Sequence, residues 1–180
     1  RLQHHLHAAA GGHQERRLSL DAALARIALQ EQQLRFDAFD PDTAWALAVA
    51  LREDGLSRRA PIVAVVETWA VRLAAFALPG ATDDNFDWAR RKINAVRRFQ
   101  RSSYAIGLQL AAAGRTLADL GALPERDYAV HGGAFPIFVR GAGCIGAVAV
   151  SGLPQRDDHK MVAAALARVL DQDLADAALD

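Results

Sequence analysis

His131-Gly-Gly-Ala-Phe-Pro-Ile137 opens a stretch that continues through Gly141-Ala-Gly-Cys-Ile-Gly-Ala-Val-Ala-Val150 to Ser151-Gly-Leu-Pro-Gln-Arg-Asp-Asp-His159. Phe135–Arg140 and Cys144–Val150 are β-rich runs joined through Gly141 and Gly143, the pattern of a hairpin. A helix is predicted from about Gln155 to Leu170, followed by an acidic, alanine-rich tail at 173–180.

Upstream, Arg115–Tyr128 carries Gly121 and Pro124 and reads as a surface connection with at most one helical turn. Before it, Trp88, Ile93, Val96 and Phe99 recur at helical spacing behind the capping candidates Thr82, Asp83 and Asp84. A further helix is predicted over Tyr104–Ala113. Pro61–Thr68 and Val71–Leu78 form a second hairpin pattern. Leu34–Phe39 alternates as a half-buried strand does, and Asp40-Pro-Asp-Thr43 opens a helix that stops at Gly55. Leu20, Leu24, Ile27 and Leu34 define a first helix over 18–33. Hairpins rather than strand–helix–strand alternation predict an α/β (α+β) fold whose five-stranded sheet is mostly antiparallel, with helices on its faces.

A chain of 180 residues, 52% hydrophobic, corresponds to one domain of roughly 100–200 residues, here residues 18–172. Acidic and basic residues balance at 21 each, so no global charge favours nucleic acid or an anionic membrane. The single cysteine, Cys144, excludes an intrachain disulfide, and a reducing, cytoplasmic compartment is expected. No apolar run approaches the roughly 20 residues that span a bilayer, so a soluble protein is expected. Arg1–Arg17 holds four of the six histidines and no apolar periodicity, and is set apart as a disordered, processed or expression-derived tail. His4, His5 and His7 could capture a metal there, but no carboxylate partner is evident nearby.

The C-terminal block, read with Pro79-Gly-Ala-Thr-x-Asp-Asn-x-x-Trp-x-Arg-Arg-Lys92, Val96-Arg-Arg-Phe99, Ser102-Ser-Tyr104 and Gly114-Arg-Thr-Leu117, resembles the haem-degrading domain superfamily. That superfamily groups the HbpS-like and GlcG-like proteins with the C-terminal domain of PduO-type corrinoid adenosyltransferases. The likeness covers about residues 19–170 and is strongest to a branch of uncharacterised proteins. It implies a profilin-like α/β/α sandwich, a tendency to form homo-oligomers, and relatives that bind haem or corrinoid-type ligands. It does not by itself imply that this chain degrades haem.

His131 is the most interesting titratable residue. Its imidazole can ligate haem iron or shuttle a proton, and Gly132 and Gly133 let backbone amides approach a ligand; a loop histidine fixed by backbone hydrogen bonds is the plainer alternative. Arg90, Arg91, Lys92, Arg97, Arg98 and Arg101 place six cations in twelve residues. Arg91 and Arg98 fall on nearly one helix face, where with Ser102 they could hold an anionic ligand, meet a partner subunit, or form a solvated face paired with Asp83, Asp84 and Asp87. Asp157 and Asp158 suit a helix N-terminus and are read with His159 as structural, because neighbouring helical side chains point about 100° apart and do not converge on one ion. Ser151-Gly-Leu-Pro-Gln-Arg156 is read as a strand–helix turn, with anion binding at the helix amides as the alternative. Cys144 in an apolar strand is expected to be inert, and Trp45, Trp69 and Trp88 to be core or interface anchors.

The leading expectation is a small-ligand-binding domain for haem, another tetrapyrrole or an anionic ligand, lined by His131, Gly132, Gly133, Arg91, Arg98 and Ser102. The alternative is a homo-oligomeric scaffold or chaperone-associated interaction protein without a small-molecule ligand. No acid–base–nucleophile set can be assembled from spacing.

Overall fold

The computed structural model describes the backbone of residues 2–180 and the side chains of Arg16, Arg17 and residues 19–180. His4, His5 and His7 lie outside the described side chains, and Arg1 outside the described residues altogether. In chain order the elements are α1 (Leu2–Gln33), β1 (Arg35–Phe36), α2 (Pro41–Ser57), β2 (Val63–Thr68), β3 (Arg72–Ala77), α3 (Asp83–Phe99), α4 (Ser103–Ala112), β4 (Ala134–Val139), β5 (Gly143–Ser151) and α5 (Gln155–Leu170). The helix predicted over 18–33 forms the C-terminal part of α1. Short 3₁₀ turns occupy Leu117–Asp119 and Ala175–Ala177.

Local chemistry sets most of these boundaries. Asp40 accepts the Thr43 amide at 2.7 Å and Pro41 takes the first position of α2, where its missing N–H costs nothing. Thr82 caps α3, and Asn85 reaches back to accept the Thr82 amide at 2.9 Å. The predicted strand at 34–39 shrinks to Arg35–Phe36, because Phe36 and Phe39 fold edge to face 5.0 Å apart and Asp40 already begins the next helix.

The five strands lie in the order β1-β4-β5-β2-β3. The sheet is mixed, which corrects the mostly antiparallel expectation. β1 pairs parallel with β4 at Arg35–Phe138 and Phe36–Val139, whereas β4–β5, β5–β2 and β2–β3 are antiparallel. The physical reason is connectivity: no hairpin links β1 to its neighbour, since nearly a hundred residues separate them, so turn geometry does not impose the antiparallel direction.

Side chains alternate across the sheet with a period of two. Ala64, Val66, Phe135, Ile137, Val148 and Val150 face one side, where the apolar faces of α2 and α5 cover them. Val63, Val65, Ala134, Ala147 and Ala149 face the other, against Ala89, Ile93 and Val96 of α3. The small alanines on this second face leave room for α3 to lie close. α1 packs on α4, and the C-terminal Ala177 and Leu179 are buried, with Gln30 donating to the Ala177 carbonyl at 2.8 Å.

Candidate functional site

Three segments converge at one end of the sheet: the middle of α3, the loop entering β4, and the turn from β5 into α5. On α3 the inward positions are Ala89, Lys92, Ile93 and Val96, spaced three and four apart, so Lys92 sits within the apolar stripe rather than on the basic face. On α5 Asp158, Met161, Val162 and Ala165 repeat the same spacing. Lys92 Nζ donates to Asp158 Oδ2 at 2.9 Å and to the Val150 carbonyl at 3.1 Å, with side-chain exposures of 3% and 2% for the pair. Asp158 Oδ1 accepts the Leu153 amide at 3.0 Å. Burial pushes the Lys92 amine down and the Asp158 carboxyl up, each offset in part by the opposite charge of the other.

Gly133 precedes β4 with φ +131°, a conformation that L side chains rarely adopt, and a Cβ there would lie 2.7 Å from Lys92 Nζ. At Gly132 a Cβ would collide with the Gln155 carbonyl, while its amide donates to Gln155 Oε1 at 3.1 Å. The glycine pair is therefore required by close packing of this loop on α5.

His131 projects at the surface, edge-on to Trp88 with ring centroids 5.1 Å apart and an interplanar angle of 84°. Arg91 stacks over the other side chain of this group, its guanidinium 4.3 Å from the Trp88 ring, and donates to the Glu125 carbonyl at 2.6 Å. The Ala129 amide donates to the Arg91 carbonyl, tying the loop to α3. Partial burial and the positive charges of Lys92 and Arg91, opposed by Glu125, lower the His131 pKa and so favour the uncharged imidazole.

Trp88 and His131 form a wall shared by two clefts. One, of about 270 Å³, is polar and is lined by Lys92, Asp158, Asp84, Ser151 and Gln155. The other, of about 300 Å³, has an apolar floor of Leu110, Leu117 and Val130 with Arg91 and Arg115 at its edges.

Of the residues singled out in the sequence, His131, Gly132, Gly133 and Arg91 come together here. Arg98 is exposed in the last turn of α3 and lines neither cleft. Ser102 is fully buried as the cap of α4; its Oγ accepts the Ala105 amide and its own amide donates to Glu31 Oε1 at 2.8 Å. Lys92 and Asp158 were not singled out as a pair. Their signal was present in the sequence as charged residues at inward positions of two amphipathic helices.

The remaining basic residues of α3 find local partners. Arg90 pairs with Asp87 at 2.9 Å, and Arg97 lies 3.7 Å from Glu67 and over the Trp69 ring. His159 is buried, its Nε2 2.8 Å from Gln30 Oε1, and burial pushes its pKa down to about 3. Because Gln30 donates its amide to Ala177, its oxygen accepts from His159, leaving Nδ1 unprotonated and without a hydrogen-bond partner. Burial pushes the Cys144 thiol up to about 11. Trp69 donates to the Cys144 carbonyl at 2.8 Å, whereas Trp45 is 65% exposed on α2. Among the described residues no group of three His, Cys, Asp or Glu side chains is placed to hold a metal ion, and no helix is long and apolar enough to cross a membrane.

Residues 39–167 match the family model described as haem-degrading protein, HbpS-like. A UPF0303 protein of Azotobacter vinelandii is 50% identical over 163 residues, covering 91% of this chain and 98% of that protein. Among solved structures, the Ybr137w protein superposes with a TM-score of 0.76 at 24% identity, covering 82% of this chain and 87% of that one. A PduOC–haem complex superposes with a TM-score of 0.62 at 18% identity, covering 72% and 94%. At these identities the two structures establish a shared fold.

Proposed function

The chain belongs to the HbpS-like haem-degrading protein family and is a relative of the UPF0303 proteins, and from that premise we propose that it is a ligand-binding domain whose ligand is held at His131. Haem or another tetrapyrrole is the first ligand class to test. The observation that carries this reading is the exposed imidazole at the wall between an apolar cleft and a polar one. A neutral imidazole presents a lone pair to iron. The apolar floor beside it suits a macrocycle, and Arg91 and Arg115 at the edge suit propionates. His131, Gly132, Gly133 and Arg91 form this proposed site. Arg98 and Ser102 stand outside it, on the surface and in a helix cap. A profilin-like sandwich, homo-oligomers and a cytoplasmic setting belong to the same reading.

Haemin titration tests it. The expected result is a shifted Soret band that saturates near one haemin per chain and is lost in His131→Ala. An unchanged spectrum with equimolar protein rejects haem as ligand, and an undiminished shift in His131→Ala rejects the site.

A second reading, a homo-oligomeric scaffold or chaperone-associated interaction protein, is favoured by one observation: Trp45, Leu56 and Val71 are large apolar side chains left exposed. Trp45→Glu should then lower the mass measured by light scattering, and an unchanged mass argues against that surface.

A further inference from the structure

The polar cleft contains chemistry that tetrapyrrole binding does not use. The chain has 21 basic residues, of which only Lys92 and Lys160 are lysines. Arginine is the ordinary choice for a buried carboxylate partner, since its planar fork engages both oxygens and it stays charged. At the buried position in a helix carrying four arginines, this chain instead has a primary amine. Two of the three Nζ hydrogens are directed to Asp158 and the Val150 carbonyl. Lys92 and Asp158 both contribute to the cleft wall, and Gly133 supplies no Cβ to crowd the amine.

We propose that Lys92 is a carbonyl-trapping amine, forming an imine with a small neutral aldehyde or ketone that enters the cleft beside Asp158. Asp158 takes a proton from the Lys92 ammonium, the freed amine lone pair forms an N–C bond with the carbonyl carbon as the C=O π bond breaks, and the oxygen takes up one of the two protons on the attacking nitrogen, giving a neutral carbinolamine. Asp158 returns its proton to the carbinolamine hydroxyl, the C–O bond breaks, and water leaves. The product is an iminium on Lys92 facing the Asp158 carboxylate, so charge is conserved and the only by-product is water. The low-polarity surroundings that favour the neutral amine help the first step. Two acidic side chains, Asp84 and Asp158, line the same cleft, which favours a neutral carbonyl compound over an anionic one.

The test exposes the full chain briefly to propanal, or in parallel to acetone, then adds borohydride and maps adducts by peptide mass. The expected result is one adduct per chain on Lys92, formed at least about tenfold faster than on Lys160, a margin below the roughly 100-fold or more that a positioned acid–base group usually contributes. A merely structural ion pair predicts the reverse order, because a buried, paired amine reacts more slowly than a surface one. Chain unfolded in urea should label both lysines alike. Lys160→Arg should retain the adduct and Asp158→Asn should slow it, with folding of each verified by circular dichroism. Adducts confined to Lys160 or the N-terminal amine, or no adduct on the folded wild-type chain, overturn the proposal. Trapping is read at Lys92 and haem at the Soret band, so either reading can fail without the other.

Discussion

Lys92 of α3 and Asp158 of α5 meet at 2.9 Å although their helices lie on opposite faces of the sheet, the contact being made past the end of β5. Removing one partner leaves an uncompensated charge in a nearly buried position at the cleft wall. Lys92→Met is expected to cost about 3–5 kcal/mol, and the double variant Lys92→Met with Asp158→Leu to recover much of it. Urea midpoints followed by tryptophan fluorescence measure both. A single variant as stable as the wild type would show that the pair is replaceable.

His159 gives the fold a defined acid sensitivity. Its folded pKa of about 3 lies below the unfolded value of 6.5, so the unfolded chain binds the extra proton between those limits. Its contribution is fully present above pH 6.5 and lost as pH falls toward 3, at up to about 1.4 kcal/mol per pH unit. Stability curves at pH 7.5, 5.5 and 4.5 should diverge for the wild type and lie closer together for His159→Gln. Parallel pH dependence in the two proteins would exclude this assignment.

Cys144 should behave as a slow nucleophile. With the thiol near 11 rather than 9, its alkylation at pH 8 is expected to run about 100-fold below that of a free cysteine. The rate should still be climbing at pH 10. A plateau near pH 9 in iodoacetamide kinetics would contradict the burial argument.

Gly146 faces backbone rather than a movable side chain. A Cβ there would press on the Glu67 carbonyl and on the Thr68 Cα of β2. Gly146→Ala is therefore expected to destabilise by about 1–3 kcal/mol, with loss of amide-exchange protection concentrated along the β2–β5 pairing. An unaltered exchange pattern would mean that the strand absorbs the methyl group.

Most of the architecture was legible because strands and helices carry different periods. The Ala–Val alternation of 147–150, the helical spacing of 88–99 and the punctuation at Asp40-Pro41 each predict the element that forms. The parallel edge pair was not legible, since the alternation at 34–39 marks a strand but neither its direction nor its partner, which lies far along the chain. At the site, the glycines and His131 were visible as a local motif. The Lys92–Asp158 pair was not, because a charged residue is read first as surface and only its phase within the apolar stripe marks it as inward. Ser102 shows the opposite error: its hydroxyl reads as a ligand contact but is taken up by the end of a helix.

Helix layers held only by methyl and methylene groups can slip against a sheet by an ångström or so with little change in energy. The charged link between α3 and α5, with the Val150 carbonyl and the Leu153 amide bound to its two ends, removes that freedom at one edge of the sandwich. Substitutions elsewhere in the core can therefore accumulate without shifting the two helices relative to each other, and the walls of the cleft between them keep their spacing while the surrounding packing drifts.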